Sequence, residues 1–125
     1  MEKKVVIDRC FDVQYVTATG MISDFEQKKF GGAEKDSVDT SRYYSADLLI
    51  IDDLGTEVVN KFTQSYFYEV INSRINARKC TIINTNLAPK DIMELYTERI
   101  ASRILGEYQP LRFGGVDIRK QRVLR

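Results

Sequence analysis

Two adjacent carboxylates, Asp52 and Asp53, follow directly on the apolar residues 48–51 and precede Gly55. A run this apolar predicts a strand that is buried on both faces of a parallel sheet, so the two acids would lie at its carboxyl end. Open α/β sheets bind their ligands at that end of the strands. The acid pair could therefore hold a divalent cation together with a nucleotide. The alternative is that the two acids only form a turn or cap a helix.

A second apolar strand is predicted at residues 80–86, one helix length after the first, and it ends in the polar pair Thr85 and Asn86. Alternating strands and helices predict a parallel sheet, so both strands would direct their polar ends at one crevice. This convergence favours a binding site over a simple turn. Asn86 could instead cap the helix that Pro89 opens.

Helical segments are predicted between and after these strands. Residues 61–78 carry apolar side chains at helical spacing, as expected of a crossover helix packed on a sheet. Residues 33–45 are polar and predict a loop with at most a short helix. The other predicted elements are a strand at residues 13–17, a helix from Thr19 or Ser23 to the glycines at 31–32, a helix from Pro89 that continues or restarts at 97–105, and a last strand at 109–113.

Composition limits the classes of protein to which the chain can belong. Its 125 residues are enough for one domain, and 19 basic against 18 acidic residues favour no polyanionic partner by bulk charge. The chain has no histidine, and Cys10 and Cys80 have no metal-type neighbours, which disfavours zinc sites and predicts that both thiols are packing residues. The sequence has no signal-peptide pattern and no apolar run of the roughly 18 residues that span a membrane, which predicts a cytoplasmic protein.

With these residues in place, the chain resembles the AAA+ ATPases of the bacterial helicase-loader and insertion-sequence helper family, the DnaC/IstB-like proteins, over about residues 13–122. The resemblance implies a three-layer P-loop NTPase core with a parallel sheet. Asp52 would be the Walker B acid that holds Mg²⁺ through water, and Asp53 would orient the attacking water. Phosphoryl transfer needs mainly charge placement, which two carboxylates beside a metal supply. Thr85 and Asn86 correspond to sensor 1, whose amide contacts the γ-phosphate or the water.

The resemblance also assigns roles to arginines nearer the C-terminus. Residues 98–103 resemble the box that supplies an arginine finger to the nucleotide of the next subunit, with Arg103 as the finger and Arg99 as its support. A guanidinium suits this role because it is permanently charged and bonds phosphate oxygens in a fork. Without the resemblance, such helix arginines are usually solvated or paired with a glutamate. Arg119 would be the sensor 2 contact, with a plain basic tail as the alternative.

Basic residues cluster in two places that could touch DNA phosphate or a neighbouring subunit. Residues 112–125 contain five basic residues and one acid, a local excess of four positive charges. Arg74, Arg78 and Lys79 close the long predicted helix in a similar way. Cations at the end of a helix also arise from the helix dipole alone, so both explanations stay open.

The large departure from the family pattern is the phosphate-binding loop. No Gly-x-x-x-x-Gly-Lys-Ser/Thr run occurs in the chain. In the family this loop would lie just upstream of residues 1–9, which look like the end of the helix that follows it. We therefore expect residues 1–125 to be a single partial AAA+ domain, truncated at the N-terminus, that runs from Walker B to the C-terminal arginines. The strand at residues 80–86 should then have an exposed edge.

The function implied by the resemblance belongs to an intact parent. That parent would bind and hydrolyse ATP with Mg²⁺, assemble side by side as a homo-oligomer, and help to place a replicative helicase or a transposase on DNA. The chain itself would bind nucleotide weakly and would be inactive alone, because it lacks the backbone N–H groups and the lysine that hold phosphates. No membrane contact is expected.

Two other classes of function remain open. Receiver domains of response regulators keep an acidic site, a phosphoacceptor and a switch hydroxyl roughly where residues 5–8, Asp53 and Thr85 fall. Against this, Arg9 stands where a second acid is expected, and Gln109 replaces the lysine that usually precedes a proline. The third class is a non-catalytic module that retains only contacts with other subunits or with a helicase.

Overall fold

The computed structural model describes residues 11–55 and 59–111, with only the backbone given for residues 34 and 35. Three parallel strands form the sheet in this part of the chain: β1 (Val13–Thr17), β2 (Leu48–Leu54) and β3 (Cys80–Thr85), in the order β1-β2-β3. The predicted parallel α/β fold is confirmed. The strand β2 is central, so β3 is an outer strand of the sheet among the residues that the structure describes, as expected.

Helices connect the strands and follow the last one. Their bounds are α1 (Ala18–Phe30), a 3₁₀ helix (Gly32–Ser37), α2 (Arg42–Ser45), α3 (Lys61–Asn76), α4 (Pro89–Leu95) and α5 (Glu98–Glu107). The first helix begins earlier than predicted because the Thr17 hydroxyl accepts the N–H of Gly20 at 3.0 Å. The helix α3 ends before residue 78 because Arg78 has a left-handed φ of 57°. None of the described helices is long and apolar enough to cross a membrane.

The hydrophobic core lies on one face of the sheet. Val16 and Ile51 are partners in the register, and both are buried on this face together with Leu49. All five α-helices contribute side chains to the same cluster. Of the apolar residues predicted to pack from α3, Phe67, Val70 and Ile71 are buried, whereas Phe62, Tyr66 and Ile75 are half-buried. The buried helix members of the cluster are Ala18, Met21, Phe25, Tyr43, Phe67, Val70, Ile71, Ile92, Ile100, Ala101 and Ile104, with Tyr96 just after α4.

The opposite face of the sheet is more open. Tyr15, Ile50 and Ile82 form one row across the three strands, and Tyr15 is 57% exposed while Ile82 is 38% exposed. Cys80 lies on the same face and is exposed. The prediction that this thiol packs in the core is therefore wrong, because Cys80 combines an edge strand with the face that points away from the core. Cys10 lies outside the described residues. Residues 109–111 of the predicted last strand are irregular, so the prediction is wrong for them, and residues 112–113 lie outside the described residues.

A buried arginine fastens α3 to the sheet. Arg74 is 0% exposed, and its guanidinium donates to the Thr81 hydroxyl at 2.8 Å, to the Cys80 carbonyl at 2.7 Å and to the Tyr43 carbonyl at 3.1 Å. These acceptors are uncharged, and burial lowers the pKa of the Arg74 side chain. The suggestion that Arg74 contacts DNA is wrong, because its donors are used inside the protein. Arg78, two residues after the helix, is exposed.

We expect Arg74→Met to destabilise the fold by about 3 kcal/mol, since the change keeps the length of the side chain but removes its hydrogen bonds to Thr81 and to the Cys80 and Tyr43 carbonyls. Urea unfolding measures this difference. Arg78→Met is the matched control, and it should change the free energy of unfolding by less than about 0.5 kcal/mol because Arg78 is exposed. Equal effects of the two substitutions would contradict the structural role of Arg74.

Candidate functional site

The acid pair lies at the end of β2, where the ladder to β3 is irregular. Ile51 pairs with Ile83, but Leu54 pairs with Thr85, so β2 has one extra residue between the two pairs. Asp53 takes up this extra residue with a left-handed φ of 56°, a conformation that aspartate tolerates better than most residues. Bulges of this kind redirect side chains next to functional sites. Because of the bulge, the side chains of Asp52 and Asp53 do not have to alternate between the two faces of the sheet.

Asp52 is half-buried and has a hydrogen-bond donor on each carboxylate oxygen. The Tyr15 hydroxyl donates to Oδ2, and the backbone N–H of Asp53 donates to Oδ1 at 3.0 Å. The bond to the negative carboxylate raises the pKa of the Tyr15 hydroxyl. Tyr15 was not predicted as a site residue. The available signal was the two-residue alternation of β1, which places Tyr15 on the face of the sheet opposite to the buried Val16.

Thr85 joins the end of β2 to the segment after β3. Its hydroxyl donates to the Leu54 carbonyl at 2.7 Å and accepts the Leu87 N–H at 3.0 Å. Both hydrogen bonds are with backbone groups of this chain, so Thr85 positions the backbone around the candidate site. Thr85 thus connects the end of β2 with the segment that carries Asn86, while the shared crevice stays a prediction.

Asn86 follows β3 and is exposed. The helix α4 has Ala88 at its N-cap position, and the Ala88 N–H donates to Asp91 Oδ2 at 3.1 Å. The interpretation of Asn86 as the cap of this helix is therefore wrong. Asn86 directly follows Thr85, the partner of Leu54, so its backbone lies near the end of β2.

Gly55 brings the acid loop into contact with the segment after β3. Its φ of 105° lies in the region that favours glycine, and a Cβ at this position would be 2.7 Å from Leu87 Cδ1. Any other residue would therefore meet both backbone strain and a clash. Gly55, which follows the acids, and Leu87, which follows Asn86, are thus packed closely together.

The two arginines of the predicted finger box lie on α5, where it packs along α3. Arg103 donates from Nε to Asn72 Oδ1 at 3.0 Å and from Nη2 to Asn76 Oδ1 at 2.8 Å, and it pairs with Glu107 at 3.5 Å. The Arg99 guanidinium lies 4.0 Å above the centre of the Tyr68 ring. These contacts hold both side chains against α3 of the same chain. Arg119 lies outside the described residues.

The donor set fits a magnesium ion that keeps most of its water. Among the described residues, no group of three His, Cys, Asp or Glu side chains is arranged to hold a metal. Mg²⁺ is commonly bound by one or two carboxylates together with substrate phosphates, and it retains several waters. Asp52 and Asp53 provide hard oxygen donors of this kind. In the part of the chain that the structure describes, no metal site is formed by protein side chains alone.

We expect Gly55→Ala to destabilise the chain by about 1–3 kcal/mol, because alanine at this φ is strained and its methyl group meets Leu87. Gly106→Ala is the matched control, since a Cβ at Gly106 in α5 would have no neighbour within 4 Å. This control should stabilise the chain by about 0.5–1 kcal/mol through helix propensity. Thermal unfolding of both variants tests the pair, and a neutral Gly55→Ala would contradict the close packing of the acid loop.

The chain is similar in sequence to known replication initiators. The "Chromosomal replication initiator protein DnaA" of Methylobacillus flagellatus is 33% identical over 95 residues, which are 73% of this chain and 19% of that protein. The DnaA of Thermus thermophilus is 37% identical over 62 residues, which are 50% of this chain and 14% of that protein. The chain thus spans about a fifth or less of the length of these relatives.

Solved structures share the fold. The DnaC helicase loader has a TM-score of 0.69 at 22% identity, covering 86% of this chain and 64% of that one. AMPPCP-bound DnaA from Aquifex aeolicus has a TM-score of 0.66 at 24% identity, covering 82% of this chain and 32% of that one. These neighbours identify the sheet and its helices as an AAA+ fold. The family model described as "IstB-like ATP binding protein" matches residues 3–107. The chain therefore belongs to the IstB-like ATP-binding family.

Proposed function

We propose that this chain carries the Walker B and sensor 1 half of an AAA+ ATPase that acts in DNA replication or transposition. The observation that carries the proposal is the junction between the ends of β2 and β3. There the Thr85 hydroxyl binds the Leu54 carbonyl at 2.7 Å and ties the acid pair to the segment with Asn86. Family membership supports ATP as the ligand. It also favours this function over a receiver domain, in which Asp53 would form a trappable acyl phosphate.

Each side chain has a distinct role in the proposed reaction. Asp52, held by two donors, binds the hydrated cation, and Asp53 at the bulge orients the attacking water. The Asn86 amide contacts the γ-phosphate or the same water. When bound, Mg²⁺ would neutralise charge on the phosphate oxygens. Since Thr85 uses its hydroxyl inside the protein, we propose that it positions Asn86 and does not contact nucleotide.

The phosphate cradle must come from outside these 125 residues, because the sequence has no Gly-x-x-x-x-Gly-Lys-Ser/Thr run. Carboxylates and one amide cannot replace the backbone N–H groups and lysine that hold phosphates. We propose that the chain alone binds Mg-ATP only weakly and does not hydrolyse it. Catalysis then requires a form of the protein that includes such a loop.

Arg103 is proposed as a finger that acts on the nucleotide of a neighbouring subunit in a homo-oligomer. In the structure its nearest partners are the neutral amides of Asn72 and Asn76, and the Glu107 carboxylate is 3.5 Å away. Charged phosphate oxygens form stronger hydrogen bonds with a guanidinium than neutral amides do. The side chain could therefore exchange its amide partners for a phosphate when a neighbour presents one. Arg99, which lies on Tyr68, would support it.

The proposed partners are a replicative helicase or a transposase, together with DNA. Solved relatives include a DnaC helicase loader and DnaA bound to single-stranded DNA. A candidate DNA surface lies at the end of α1, where Lys29 Nζ is 5.4 Å from the ring centres of both Phe30 and Phe62. Phe30 is 69% exposed. Exposed aromatic rings beside lysines are the usual means of binding single strands.

We expect Asp53→Asn, made in a form that includes a phosphate-binding loop, to keep ATP affinity within about threefold and to lower hydrolysis by 100-fold or more. The reason is that the lost charge is needed mainly when water attacks, and asparagine tolerates the left-handed φ. Fluorescent-nucleotide binding and phosphate release measure the two steps separately. Hydrolysis at the unmodified rate would rule out this role of Asp53.

Mixing experiments test the finger. Arg103→Ala combined with a phosphate-loop-defective protein should partly recover hydrolysis, because mixed pairs contain one complete site. The double variant Asn72→Ala/Asn76→Ala is the control: it removes the anchors of Arg103 on α3 but keeps the guanidinium, so it should hydrolyse ATP without mixing. If this double variant is as inactive as Arg103→Ala, or if mixing recovers nothing in assembled protein, Arg103 only holds α5 against α3.

A further inference from the structure

Tyr15 stands beside the candidate site without belonging to the core. It lies in the middle of β1, and in the parallel register its neighbour is Ile50, two residues before Asp52. Residues two apart on a strand face the same side, so Tyr15 and Asp52 share the open face of the sheet. The Tyr15 side chain is 57% exposed, yet its hydroxyl donates to Asp52 Oδ2. Its contact with the acid is thus the specific interaction that this tyrosine makes.

The hydrogen bond from Tyr15 gives the Asp52 carboxylate a donor on its second oxygen. The Asp53 N–H already donates to Oδ1 of Asp52 at 3.0 Å, so the Tyr15 hydroxyl supplies the donor for the other oxygen. A carboxylate has about four lone-pair sites, and two donors leave the remaining ones free. The carboxylate is therefore fixed in orientation and can still accept hydrogen bonds from the water of a cation.

We infer that Tyr15 is a positioning residue for Asp52, which keeps the carboxylate in the orientation that a hydrated divalent cation requires. The inference rests on the proposed function and goes beyond it by assigning a role to β1. An exposed aspartate without such a donor samples several rotamers, and ordering it on binding costs free energy. Outer partners of metal-binding groups commonly change metal affinity by 10- to 100-fold when they are removed.

The test uses the 125-residue chain with Tyr15→Phe, which removes the hydroxyl and keeps the ring. Three-bond couplings to Cγ of Asp52, measured by NMR, report whether its χ1 angle is fixed or averaged. We expect a single rotamer in the unmodified chain and averaged couplings in Tyr15→Phe. Tyr44→Phe is the matched control, because the Tyr44 hydroxyl donates to Glu69 Oε1 at 2.9 Å on another part of the surface. It should leave Asp52 unchanged.

A titration with Mn²⁺ alone separates this inference from the proposed function. In the unmodified chain, millimolar Mn²⁺ should broaden the amide signals of Asp52 and Asp53, and in Tyr15→Phe the half-saturating concentration should rise about tenfold. Absence of broadening in the unmodified chain would overturn the cation site, and with it the purpose assigned to Tyr15. Unchanged Asp52 couplings or an unchanged Mn²⁺ midpoint in Tyr15→Phe would overturn the role of Tyr15 while leaving the cation site in place.

Discussion

Parallel pairing of β2 on both of its edges is the constraint on which the rest of the site depends. Leu49 and Ile51 are fully buried and fix which face of β2 points to the core. The register with β1 and β3 then sets where all three strands end. A slip by one residue would turn the buried residues outward, separate Asp52 from Tyr15 and separate Leu54 from Thr85. The positions of the side chains at the strand ends therefore depend on the hydrophobic core.

The connection from β2 to β3 through α3 depends on a second interaction, which is the buried polar contact of Arg74. Burying a charged guanidinium without an acid partner costs several kcal/mol unless its donors are satisfied. Arg74 meets this condition because carbonyl and hydroxyl oxygens surround it, including the Cys80 carbonyl at the start of β3 and the Tyr43 carbonyl in α2. One side chain therefore sets the position of the last turn of α3 relative to both neighbours. The edge strand β3 receives part of its support in this way.

Local pattern predicted most of the described elements, because each carries its own periodicity, but the predicted strand at residues 109–111 is irregular. The apolar run before Asp52 and the helical spacing after residue 61 predicted β2 and α3, and the bounds of β1 agree with the sequence. The side-chain contacts could not be predicted from the sequence, because they depend on strand register and on packing. The exposure of Cys80, the bond from Tyr15 to Asp52 and the burial of Arg74 follow from the fold as a whole. A basic helix end looks the same in sequence whether its arginine is buried or solvated.

We have proposed that Asp52, Asp53 and Asn86 converge on a magnesium nucleotide. The most direct measurement is a crystal structure of a form that includes the phosphate-binding loop, grown with AMPPCP and Mn²⁺ and recorded at the manganese edge. The account predicts an anomalous peak one water away from the Asp52 carboxylate, with the Asn86 amide facing the γ-phosphate. A manganese peak bound away from the carboxyl end of β2, with Asp52 directed elsewhere, would contradict it.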